Sequence, residues 1–179
     1  MTNLLCNFSA SDLNNVKVVV SDDLPADDVT EDDLNGEDFT SLGSHDGPVE
    51  EGDTIKIKPE DGVPGKVVVI FVPGEGTLSL GDVKVYVRPV TVPAPGEPEG
   101  PDGPDGPEEV TNPEQPSGGS SGENPENGND GNPDTCFTSD KQTAPWWSVN
   151  LGKEWEIVAV HIVACSDSRK SLHYSLLNI

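Results

Sequence analysis

PWWSVNLGKEWEIVAVHIV, residues 145–163, is the stretch that decides the fold. All three tryptophans of the chain, Trp146, Trp147 and Trp155, fall inside it. Apolar residues alternate at Val149 and Leu151, then recur at Ile157, Val158, Val160 and Ile162. An apolar period near two, rich in β-branched residues, points to strands rather than to a helix. The stretch therefore reads as a strand opened by Pro145, a Leu151–Gly152 turn, and a second apolar strand. Adjacent strand residues face opposite ways. One ring of the Trp146–Trp147 pair is expected to enter the core and the other to pack under a loop, each burying roughly 150–250 Å². His161 alternates into the second strand, where a histidine is more often structural than a ligand.

Further strands follow from the same pattern upstream. Val16–Val20 is a β-branched run with no helical period. Ile55 and Ile57 alternate with Lys56 and Lys58, which places the lysines outward. Val67–Val72 is apolar throughout and is expected to be buried on both faces. Pro73–Gly76 reads as a turn into Leu78, Leu80, Val83, Val85 and Val87. The slip from even to odd positions at Gly81–Asp82 predicts a bulge. The expected class is all-β.

Composition narrows the function. The net charge of −23 over 179 residues excludes phosphate-backbone recognition, which needs clustered Lys and Arg, and disfavours anionic membranes. No apolar run approaches the ~20 residues of a membrane-spanning helix. The first residues lack the basic region and apolar core of a signal peptide, so the chain reads as cytosolic or as part of a longer protein. The odd count of cysteines, Cys6, Cys136 and Cys165, leaves at least one unpaired and makes no disulfide framework. Asn7-Phe8-Ser9 fits the glycosylation pattern. No nucleophile elbow, His-Glu-x-x-His or phosphate loop occurs, so no enzyme is expected.

Two stretches read as non-core. Residues 21–38, SDDLPADDVTEDDLNGED, hold many carboxylates and no basic residue, and read as a solvated acidic loop. An EF-hand alignment starting at Glu31 fails, because its twelfth position is Leu42 where a bidentate Glu is required. Residues 91–126 read as a Pro-, Gly- and acid-rich linker with an average reach of about 30–40 Å.

The Trp pair and the residues before it, NGNDGNPDTCFTSDKQTA at 127–144, resemble the F-type lectin (fucolectin) family. GKVVVIFVPGEGTLSLGDVKVYV, residues 65–87, is similar to the closing hairpin of the same family. The two pieces stand in reversed order. Residues 1–90 resemble the C-terminal half of the domain and residues 127–179 its N-terminal half. The resemblance implies a discoidin-like jelly-roll β-sandwich, assembled in this chain from two half-domains in permuted order. It also allows tandem domains in a longer protein, or a homo-oligomer.

The family binds fucose and one calcium ion. The resemblance places Ca2+ ligands at Asn127, Asp130, Asn132 and Thr135, with the Gly81 carbonyl and the Asp82 carboxylate from the closing hairpin. Oxygen donors of this mixed kind suit a hard cation. A plain Gly/Asn turn is the alternative. The family grips fucose with one His and two Arg. Here those positions are Thr138, Cys165 and Ser171, so the fucose site is degenerate. Thr138 with Arg169, Lys170 and His173 is the candidate set for a different glycan, or else an ordinary exposed loop. The family partner of Cys136 falls at Gly81 and that of Cys6 near Lys58 or Pro59, so the family disulfides are expected to be lost. The implied function is a secreted, calcium-binding, lectin-like module recognising a glycan or glycoprotein. The alternative is a non-binding structural or adhesion segment of a larger repeat protein.

Overall fold

The computed structural model describes residues 13–90, 108–109, 115–119, 122–132 and 134–166. They form an all-β, antiparallel structure. In chain order the elements are β1 (Val16–Ser21), a single helical turn α1 (Glu31–Leu34), β2 (Thr40–His45), β3 (Thr54–Ile57), β4 (Val63–Phe71), β5 (Glu75–Gly76) and β6 (Ser79–Arg88). There follow β7 (Glu108–Glu109), β8 (Gln115–Gly119), β9 (Gly122–Glu123), a 3-10 turn (Pro125–Gly128), β10 (Phe137–Ser139), β11 (Gln142–Thr143) and β12 (Trp146–Ala164).

The main sheet runs β2-β1-β4-β12-β6-β10-β9, with β3 and β8 also on β12 and β7 on β6. β12 is 19 residues long. Straight, it would span about 60 Å, wider than a domain of this size. It bends instead. Trp146–Asn150 pairs with Val67–Phe71, the pairing breaks, and Trp155–Ile157 resumes on Val63–Gly65. Gly152 takes φ 80° at the bend, and its N–H donates to Asn150 Oδ1 at 2.8 Å. The expected Leu151–Gly152 turn is thus a kink inside one strand, because β4 pairs on both sides of it, with Asn150 opposite Val67 and Trp155 opposite Gly65.

That bend lets the sheet fold over one core. Val18, Val20, Val68, Ile70, Trp147 and Val149 from one layer share a buried cluster with Ile55, Ile57, Val83, Val85, Ile157, Val160 and Ile162 from the other. A second cluster covers the outer face of the first layer: Val19, Val67, Val69, Phe71, Trp146 and Leu34, with Val29 and Phe39 against them. Residues 67–72 are therefore buried on both faces, and the two rings of the Trp pair go to opposite clusters.

Val29 and Leu34 come from the acidic stretch and Phe39 directly follows it, so the stretch is more than a solvated loop. Thr30 caps α1 with a capping box, Asp33 bonding back to the Thr30 N–H at 2.9 Å and to its hydroxyl at 2.6 Å. Leu34 is fully buried. Glu31 accepts from Gly74 N–H at 2.8 Å, and Lys17 reaches Asn35 at 3.1 Å. The carboxylates face water while three apolar residues roof the sheet. A groove of about 760 Å³ runs beside them, lined by Asp22, Asp23, Asp28, Phe39 and Pro64 among others. None of the expected site residues that are described lines it.

The described parts of 91–126 are also paired rather than free. Glu108 and Glu109 pair with Val87 and Tyr86, and Gln115–Gly119 pairs with Trp147–Asn150. Main-chain hydrogen bonds need no apolar side chains, which is why composition did not mark these strands.

Candidate functional site

Residues 127–135 and the bulge of β6 meet at one edge of the core. The bulge is where the sequence placed it. Val163 pairs with Asp82 and Ala164 with Leu80, which leaves Gly81 as the extra residue. The bulge turns Asp82 inward, and only 5% of it stays exposed. Its Oδ1 accepts from Gly131 N–H at 3.3 Å. Burial pushes the Asp82 carboxyl above the ordinary carboxylate range, and the nearby negative charge of Asp130 adds to the rise. The Gly131 and Val83 N–H groups and Lys84 pull the other way.

The loop is shaped by its own polar groups. Asp130 Oδ1 accepts from Asn132 N–H at 2.8 Å, and Oδ2 from the Thr135 hydroxyl at 2.6 Å. Asn132 Oδ1 accepts from Asp134 N–H at 3.2 Å. Asn127 Nδ2 donates to the Cys136 carbonyl at 3.2 Å. Asp82, Asp130, Asn132 and Thr135 thus gather in one region, and Asn127 ties the start of the loop to its end at Cys136. Among the described residues no three His, Cys, Asp or Glu side chains gather closely enough to hold an ion by themselves. A cation would rest on two carboxylates plus neutral oxygens. That donor set, with one carboxylate buried beside a second negative charge, fits a hard divalent ion.

Two anchors hold the loop. On its entry side, Trp147 Nε1 donates to the Pro125 carbonyl at 2.8 Å, which satisfies a fully buried indole. On its exit side, Cys136 and Cys165 form a disulfide with Cα atoms 5.7 Å apart. This corrects the expectation that Cys136 stands single. Phe137 and Ala164 flank Leu80 from the two neighbouring strands, so the cysteines beside them converge over the next residue, Gly81. A Cβ at Gly81 would stand 3.3 Å from Cys165 Cα and 3.2 Å from the Ala164 carbonyl oxygen. Cys165, at the end of the adjacent strand β12, is the partner that reaches Cys136 there.

The glycan candidates are less gathered. Thr138 lies on β10, with its hydroxyl 3.2 Å from that of Ser79. Cys165 is occupied by the bridge. Arg169, Lys170, Ser171 and His173 lie outside the described residues, as do Cys6 and Asn7-Phe8-Ser9. His161 packs against Tyr86, ring centroids 4.5 Å apart. No described helix is long and apolar enough to cross a membrane. Compared with family models, curated proteins and solved structures, the chain finds no significant match in any of the three.

Proposed function

We propose that this chain is a calcium-binding, lectin-like carbohydrate-recognition module, a discoidin-like jelly roll assembled from two half-domains in permuted order. The observation that carries the proposal is the approach of buried Asp82 to the Asp130–Thr135 loop across 49 residues of chain. A carboxylate placed inward beside a second carboxylate is costly unless a cation or proton joins it. Calcium would supply that positive charge. Asp82 and Asp130 would hold it with the Asn127, Asn132 and Thr135 oxygens and the Gly81 carbonyl, while Asn127 Nδ2 also ties the loop to the Cys136 carbonyl.

With Cys165 in a bridge and Thr138 bonded to Ser79, the family's fucose contacts are replaced. The favoured partner is a glycan or glycoprotein gripped without them. The bridge suits an oxidising, extracellular setting. A second reading, a structural or adhesion segment, is favoured by one observation: the loop oxygens already bond to one another. A glycan array read in calcium and in chelator decides between them. Binding that disappears in chelator is the expected result. No glycan bound in either condition would leave the structural segment.

A further inference from the structure

We propose that the Cys136–Cys165 bridge is a thiol-operated latch on the 129–135 loop, so that a dithiol reductant lowers the affinity of the loop for calcium. The inference rests on the calcium reading above and adds its regulation.

Three observations carry it. First, the bridge sits next to the ligands: Cys136 follows Thr135 directly, and its carbonyl accepts from Asn127. Second, the strands on either side of the bridge have holds of their own. β12 is held by β3, β4, β6 and β8, and β10 is seated by the fully buried Phe137. On the entry side, Gly128 lies against the Trp147 ring. Opening the bridge therefore loosens the loop between Gly128 and Phe137, not the sandwich. Third, Cys136 and Cys165 are both partly exposed, within reach of a small dithiol. Once the bridge is open, the described contact of the loop with Asp82 is one hydrogen bond of 3.3 Å, too weak to fix the Asp130–Asp82 spacing by itself.

The chemistry is ordinary exchange. One thiolate of the dithiol attacks a bridge sulfur and forms a mixed disulfide, releasing the other cysteine. The second thiol of the reductant then displaces the first cysteine and closes its own disulfide. Two electrons and two protons end on Cys136 and Cys165, and the dithiol is oxidised. The reduced loop samples more conformations, and the apparent affinity falls by the fraction that remains competent.

The test uses the full chain carrying Cys6→Ser, so that no third thiol joins the exchange. Calcium chloride is titrated by calorimetry into the oxidised chain, the chain kept in dithiothreitol, and Cys165→Ser. The apparent Kd is expected to rise about tenfold or more in the last two, as expected for a site losing its preorganisation. Dithiothreitol should not change Cys165→Ser further, and the strand signal in circular dichroism should hold throughout. Equal Kd values in oxidised and reduced chains overturn the latch. So does a collapse of the strand signal on reduction, since the bridge would then hold the fold. Amide exchange separates the two readings. In calcium-free protein, reduction should speed exchange at Gly131, and an unchanged rate there overturns the latch. No calcium uptake by the oxidised chain overturns the calcium reading instead.

Discussion

Two acidic, apolar-poor stretches, residues 21–39 and 127–135, look alike in composition and do opposite things with their carboxylates. In the first, the charge is incidental to the packing. Asp33 is held on the surface by Thr30, whose hydrogen bonds pull its carboxyl below the ordinary range, while Leu34 goes into the second cluster. In the second, no large apolar side chain goes inward, and the loop lies against a buried carboxylate, Asp82, whose pKa is pushed up. Surface acids stabilised by their neighbours cap a helix. A buried acid destabilised by its surroundings is relieved by a proton or by a nearby cation. The sign of the shift separates the two, and the number of acids does not.

The largest effect should come from the roof. Leu34→Ala removes a fully buried side chain and is expected to cost roughly 2–5 kcal/mol in denaturant unfolding. It should leave the calcium response intact, because Leu34 touches only the second cluster. A lost calcium response would join the two regions. Next in size is the calcium response itself. Calcium should raise the thermal midpoint, with ~2.7 kcal/mol of stabilisation at one hundred times Kd. Asp130→Ala should abolish that rise. A midpoint that stays flat across millimolar calcium in the unsubstituted chain would sink the site.

The third prediction has a sign rather than a size. With its folded pKa raised, Asp82 disfavours the calcium-free fold above that pKa, and this disadvantage fades as pH falls toward 3.8. Asp33 runs the other way. Its stabilisation is present above 3.8 and is lost as pH falls through its lowered folded pKa. In chelator at neutral pH, Asp82→Asn should therefore raise the midpoint while removing the calcium response. A lowered midpoint would make Asp82 a structural acceptor for Gly131 and nothing more.

The strands were legible because their residues carry the period. Val16–Val20, Val67–Val72 and the alternation after Trp155 leave little choice, and the parity slip at Gly81 marked the bulge without any structure. What sequence did not show lies where pattern and physics separate. Leu34 is one apolar residue among many acids, and its burial depends on a sheet face formed by residues 67–71. The strands at 108–109 and 115–119 are joined by main-chain groups, which every residue has. The Cys136–Cys165 bridge depends on which strands flank Leu80, a matter of topology rather than of spacing. The approach of Asp82 to the 130–135 loop, 49 residues away, depends on β6 and β10 pairing side by side, which no local pattern marks.

One consequence of the bent strand concerns the birth of the protein. β12 lies between β4 and β6 in the sheet, yet it follows both in the chain by more than fifty residues. On the ribosome, the edges of β4 and β6 emerge long before the strand that joins them. Such edges pair readily with other chains. The strongly negative charge of the chain opposes that pairing between copies while synthesis continues.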